Sequence, residues 1–340
     1  MSFERILGQD RPRHILKKAL RNGCVPHAYL FYGQESIGKK LAAIELAKAL
    51  NCEVSGPVDG CDQCPSCRKI EKRTHPDFFL LEPKKNTPAA KEAIHNIDTI
   101  RELQRKLIYL PYEGTTKVVV INSVEVMNLP AANAFLKTLE EPPSQTLIIL
   151  IASNPYQLLP TLVSRCQGIR FYPLPNDAVR KIVAGQLENE TGDAQPEELE
   201  LRVRRSMGQV TRAMEEDLLE AAQHREELID LIGEVSFKRM DRVFVWTRTW
   251  GRQQKDRIQV VLDELLNLIR DAAVIKTNRD PRTLLNKDLS GKLETLAAQK
   301  SLPALLDMFD AVQRTKAALK LNANAQLSLE NMLLNFCEAA

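Results

Sequence analysis

The sequence predicts an α/β domain built on a parallel sheet, followed by an all-helical C-terminal third. Three observations carry that expectation. Residues 28–50 read as a short apolar strand, a glycine loop and an apolar-periodic helix. Val118-Val119-Val120-Ile121 is a continuous β-branched run of the kind buried on both faces of a parallel sheet. From residue 218 to 340 the pattern is helical throughout, with apolar spacing in 260–269, 302–312 and 327–336. At 340 residues the chain has room for two or three domains with cores of their own.

Taken in order, a helix is expected over residues 11–21, entered through Gly8-Gln9-Asp10, and the first strand over 28–32. A second buried strand follows at Asp77-Phe78-Phe79-Leu80-Leu81, with a surface loop over residues 84–90. Ile97, Ile100, Leu103 and Leu107 share the apolar face of a helix that has Asp98 or Thr99 near its start. Gly114-Thr115-Thr116-Lys117 turns into the β-branched strand. A helix over 129–141, closed by Pro142-Pro143, leads to a strand over 147–152 ending in Ser153-Asn154-Pro155. A short helix at 159–163 precedes Ser164-Arg165-Cys166 and a last strand at 168–172, and Pro173 and Pro175 mark a boundary. A small helical domain follows, interrupted by a polar loop at 188–196, with a helix starting in Gly208-Gln209-Val210-Thr211-Arg212-Ala213. Trp246 and Trp250, at i,i+4, read as core or interface packing.

The first chemistry lies in Gly33-Gln34-Glu35-Ser36-Ile37-Gly38-Lys39-Lys40. Strand, Gly-x4-Gly-Lys and helix are the setting of a phosphate-binding loop, in which backbone N–H groups and a helix N-terminus receive a polyphosphate. The next position ordinarily carries Ser or Thr, whose hydroxyl holds Mg²⁺; here it is Lys40, and an ammonium cannot ligate a cation. A hydrolysing site also needs an Asp-Glu pair at the tip of the β-branched strand, for metal and water, and the tip is Asn122-Ser123. Loss of a general base alone costs about 10²–10⁴ in rate. Glu125 stands beyond the tip and is expected to point elsewhere. Three departures at one reaction argue against ATP hydrolysis by this chain. Asn154 reads either as a sensor of the γ-phosphate or as an ordinary strand-to-turn signal.

The second lies in Cys52, Cys61, Cys64 and Cys67, four of seven cysteines within 16 residues. Two pairs at knuckle spacing suit tetrahedral Zn²⁺ with no open position, a structural site rather than a catalytic one. Hydrophobic content of 44% and charged content of 27% are those of a soluble protein, and a net charge of +3 leaves any DNA contact to a local patch. No apolar run approaches 18 residues and the N-terminus lacks a signal-peptide pattern, so no membrane partner and a cytoplasmic location are expected.

These residues carry a resemblance. Gly8-Gln9, His27-Ala28-Tyr29-Leu30-Phe31, the glycine loop, the four cysteines, Ile97-Asp98-Thr99-Ile100-Arg101, the stretches 111–118 and 133–143, and Ser164-Arg165-Cys166 resemble the delta-prime family of bacterial DNA polymerase III clamp-loader subunits, and more broadly the gamma/tau subunits. The match is dense over residues 8–172, rests mainly on 208–212 in the following helical segment, and on helical character with Asn322-Ala323-Asn324 in the last third. The resemblance implies an AAA+ domain at 1–173 holding the zinc insertion at 52–67, a helical lid at 174–215, and a collar at 216–340 that helps form a five-subunit arc. It implies a weakened nucleotide site over Gly33, Gly38, Lys39, Lys40, Asn122, Ser123 and Asn154, with Arg212 at the lid's sensor position. It further implies that Arg165 is an arginine finger presented to the ATP of a neighbouring motor subunit. Gamma/tau and delta subunits become the expected partners, with the sliding clamp and primer-template DNA reached indirectly. The alternatives are an ATP-hydrolysing gamma/tau-type motor and a zinc-dependent nucleic-acid-binding protein, with any phosphate contact near Arg101.

Overall fold

The computed structural model describes residues 2–339 apart from 55, 57, 85–93, 191–195, 207, 215–217, 238–239, 254, 278–283, 287–288 and 322. The chain divides into two units, Met1–Glu215 and Glu216–Ala340. In the first, strands β1 (Ala28–Tyr32), β2 (Phe78–Leu81), β3 (Lys117–Ile121), β4 (Thr146–Ala152) and β5 (Gln167–Arg170) form one sheet in the order β2-β3-β4-β1-β5. All neighbours run parallel. The α/β expectation is met, and the β-branched run is fully buried because helices cover both faces.

Alternation along the strands builds two cores. Tyr29, Phe31, Val118, Val120 and Ile149 face one side, packed with Leu16, Ala42 and Leu46. Leu30, Val119, Ile121, Ile148 and Leu150 face the other, packed with Ile100, Leu103 and Phe135. The flanking helices are α1 (Asp10–Arg21), α2 (Lys39–Asn51), α3 (Pro65–Glu71), α4 (Ile97–Leu107), α5 (Leu129–Glu140) and α6 (Pro160–Val163). Helix α4 is capped by Asn96, whose side chain accepts from the Thr99 N–H, and Asp98 and Thr99 lie in its first turn, near its start as expected. Strand β5 is an edge strand with only Ile169 buried, and it ends at Arg170 rather than 172.

Helices α7 (Asn176–Glu190), α8 (Pro196–Arg205) and α9 (Val210–Met214) contribute Val179, Val183, Val203 and Ala213 to the first of these cores. The polar loop expected at 188–196 narrows, since α7 runs to Glu190 and α8 starts at Pro196; its middle lies outside the described residues. So does the loop expected at 84–90 from residue 85 on, and so does Asn322.

The second unit holds α10 (Leu218–Glu234), α11 (Met240–Trp250), α12 (Lys255–Lys276), α13 (Ser290–Gln299), α14 (Leu302–Lys320) and α15 (Ala325–Ala339) around a core of its own. Trp246 and Trp250 pack against that core with ring centroids 5.9 Å apart, as the i,i+4 spacing suggested. No helix among the described residues is long and apolar enough to cross a membrane.

Candidate functional site

The cleft at the C-terminal ends of the strands is shaped by glycine. Gly33 follows β1 at φ +141°, and a Cβ there would stand 2.4 Å from the Phe171 carbonyl oxygen. Gly38, at φ +96°, is the N-cap of α2. Gln9, almost wholly buried, holds the loop from behind: its Nε2 donates to the carbonyls of Ile37 (3.0 Å) and Tyr172 (2.6 Å), and its Oε1 accepts from the Tyr172 N–H. The Gly8-Gln9 motif therefore fastens the glycine loop to the end of β5.

A cavity of about 470 Å³ opens over this loop, lined by Gly38, Lys39, Lys40, Asn122, Ser123, Glu125, Ser153 and Thr211 among others. Lys39 is buried, and its Nζ donates to the carbonyls of Gly33 and Gln34, so the ammonium folds back on its own loop. Burial pulls its pKa down to about 8, against the opposing pull of Glu125 and Glu35. Lys40 pairs with Glu82 at 3.0 Å, just past the tip of β2. Thus the position that would offer a hydroxyl to a metal instead carries an ammonium held by a carboxylate.

One expectation needs correction. Glu125 does not point elsewhere. Ser123 sits in the left-handed region (φ +52°) and the short turn Val124–Val126 reverses the chain, sending the carboxylate into the cleft. There one oxygen accepts from the Ser153 N–H at 2.9 Å and from its hydroxyl, while the other is buried without a hydrogen-bond partner. The Asn154 side chain accepts from the Tyr156 N–H, capping the turn Pro155–Gln157, and it lines an adjoining cavity of about 940 Å³ that shares Ser153 with the cleft. This cap agrees with its turn-signal reading, and Ser153 beside it lines the cleft.

Helix α9 reaches the loop through the Val210 N–H, which donates to the Ser36 carbonyl at 3.1 Å, and through a Thr211–Ser36 hydroxyl contact. Arg212, one residue on, is half-buried and is not among the residues lining the cleft. Arg101 is exposed on α4 and lines a shallow groove of about 530 Å³ with Arg105 and Lys137, away from the cleft. Arg165, past α6, is 34% exposed; its Nη2 donates to Glu140 at 2.6 Å and its Nη1 to the Thr161 carbonyl at 3.0 Å.

The four cysteines converge, each sulfur within 4.8 Å of the others. A tetrahedral ion with Zn–S bonds of about 2.3 Å sets sulfurs about 3.8 Å apart, so the arrangement fits that metal. The sulfurs of Cys61 and Cys64 accept from the backbone N–H groups of Cys64 (3.2 Å) and Cys67 (3.4 Å). Burial pushes the Cys67 thiol far up, which a bound cation reverses. Below the knuckle, buried Lys48 pairs with Glu45 (3.2 Å), Asp62 (2.9 Å) and Glu71, and Arg5 pairs with Glu45 and Glu71 at 3.2 Å each. The insertion is thereby tied to α2, which carries the phosphate loop at one end and Cys52 at the other.

Glu82, Ser153 and Glu140 were not singled out from the sequence. Glu82 and Ser153 directly follow strand tips, a position that could flag them; Glu140 declares itself only through a contact distant in sequence.

Comparison with known proteins places the chain in a family. Residues 8–175 match the family described as DNA polymerase III, delta subunit, and residues 220–338 match DNA polymerase III, delta subunit, C terminal. The chain is 30% identical over 331 residues to the DNA polymerase III subunit delta' of Bacillus subtilis, covering 96% of this chain and 95% of that protein. It is 39% identical over 176 residues to the delta' subunit of Pseudomonas aeruginosa, 52% of each chain. It is also 26% identical to the Bacillus subtilis tau subunit over 99% of this chain, which spans 62% of tau.

Proposed function

This chain belongs to the DNA polymerase III delta-prime family, and from that premise we propose that it is the non-hydrolysing, stator-type subunit of a clamp loader. In this reading it assembles with gamma/tau and delta subunits, lends Arg165 to the ATP site of a motor neighbour, and acts on the sliding clamp and primer-template DNA through the complex. The observation that carries the non-hydrolysing role is the Lys40–Glu82 pair at the position where a hydrolysing site holds its metal hydroxyl. Asn122 and Ser123 add to it, offering neither a charged metal ligand nor a base.

Arginine suits the finger role because its planar, permanently charged fork meets phosphate oxygens two at a time. Arginine fingers given in trans to GTPases, the general precedent, raise rates by about 10³–10⁵. Arg165→Ala is expected to leave the chain folded and assembled while lowering the ATPase of the reconstituted complex; unchanged ATPase counts against the finger. Cys52, Cys61, Cys64 and Cys67 are proposed to hold one structural Zn²⁺ as four thiolates, with no open position for a substrate.

A second reading, a gamma/tau-type motor, draws support from the Glu125 carboxylate in the cleft beside Lys39. Turnover by the isolated chain separates the two. Magnesium-dependent hydrolysis abolished by both Lys39→Ala and Glu125→Gln establishes the motor; no turnover supports the stator.

A further inference from the structure

The side chain of Arg165 is held, and the group that holds it lies in another helix. Glu140 is the last residue of α5, followed by Glu141. Carboxylates there face the negative end of the helix dipole, an unfavourable place for them. A local rule broken in this way marks a residue kept for something other than helix stability. What Glu140 touches is Arg165, at 2.6 Å.

The donors of the guanidinium can be counted. Both Nη1 hydrogens are directed at acceptors, the Thr161 carbonyl at 3.0 Å and the Ser164 hydroxyl at 3.5 Å. One Nη2 hydrogen goes to Glu140. Of the five N–H groups an arginine carries, the Nε–H and one Nη2–H have no acceptor among the described residues. Glu140 and Thr161 therefore fix the plane of the guanidinium from two sides and leave a pair of donors for an incoming anion.

We propose that Glu140 is the positioning residue for Arg165: its carboxylate holds the guanidinium in a single orientation, ready for the phosphate oxygens of a nucleotide bound to the neighbouring subunit. This rests on the finger reading of Arg165. An unrestrained arginine must lose side-chain freedom when it meets phosphate, whereas a held one has already lost it. The pair's own contribution to stability is small, since both groups are substantially exposed. Its effect belongs to rate rather than folding.

The test uses the reconstituted complex, with kcat and KM for ATP measured for wild type, Glu140→Ala, Glu140→Gln, Arg165→Ala and the Arg165→Ala/Glu140→Ala double variant. Glu140→Ala is expected to lower kcat roughly tenfold with KM unchanged, a loss within the range seen when a group is misplaced. Glu140→Gln keeps an acceptor oxygen and is expected to fall between it and wild type. The double variant is expected to match Arg165→Ala, because Glu140 acts only through that arginine. Wild-type kcat in both Glu140 variants, with Arg165→Ala impaired, overturns the positioning role and leaves the finger standing. A double variant below Arg165→Ala also overturns it, making Glu140 a structural residue. Wild-type kcat in Arg165→Ala removes the finger reading itself. If Glu140→Ala fails to assemble, the isosteric Glu140→Gln decides: a lowered kcat at constant KM supports the proposal and an unchanged kcat ends it.

Discussion

Asp77 is 1% exposed, and its two carboxylate oxygens accept from the backbone N–H groups of Tyr112 (2.7 Å), Glu113 (2.8 Å) and Gly114 (2.8 Å). Burial pushes this carboxyl up, but the three N–H groups outweigh it and hold it below its usual value. Lys117, also buried, donates from the same turn's other side to the carbonyls of Lys106 (2.9 Å) and Tyr109. Asp77→Ala orphans three N–H groups and is expected to cost about 1.5–3 kcal/mol in urea denaturation at neutral pH. A depressed carboxylate stabilises above its unfolded pKa and loses that contribution as pH falls through the folded value. The variant and wild type are therefore expected to converge in stability below the ordinary carboxylate range. A gap that stays constant with pH contradicts the charge-assisted cap. Asp77 reads in the sequence only as the start of a strand. Its role depends on a turn 35 residues away, which no local pattern announces.

At the scale of elements, α2 joins the two candidate sites. Its N-terminus receives the glycine loop, Cys52 caps its C-terminus, and Glu45 and Lys48 between them are buried at the base of the knuckle. Removing one partner of a buried pair leaves the other uncompensated, at a cost of about 3–5 kcal/mol. Lys48→Ala is expected at the lower end of that range, since Arg5 still meets Glu45. Denaturation midpoints check it, and a loss below measurement error would mean the network is solvated. A chelator is expected to release one zinc per chain and to lower amide-exchange protection at the C-terminal end of α2; protein that carries no metal as purified contradicts the proposed Zn²⁺. The helix and the knuckle were both legible beforehand, one from period and the other from spacing. The ion network joining them was not, because Arg5, Asp62 and Glu71 read one by one as ordinary surface charges. The short helix α3 (Pro65–Glu71) leaves no mark in the sequence pattern, its seven residues spanning too few turns to show a period.

At the scale of the whole molecule, each of the two units buries a core of its own. A cut at the junction near residue 216 is expected to leave two fragments that fold separately, each with cooperative thermal unfolding by circular dichroism. The N-terminal fragment is expected to retain its metal yet to fail to join the reconstituted complex in gel filtration. Assembly by that fragment alone would refute the use of the helical unit as a collar.

By itself the sequence determined the α/β plan, the glycine loop with its missing hydroxyl, the uncharged strand tip and the four-cysteine knuckle, because each is written in residues adjacent or at fixed short spacing. Tertiary structure alone decided which way the charged groups face. Lys40 finds Glu82 across 42 positions, Glu125 finds Ser153 across 28, and Arg165 finds Glu140 across 25. Such pairs form where parallel strands and their helices bring distant segments side by side. The orientation of a side chain at a strand tip follows from the turn beyond it rather than from the strand's own alternation.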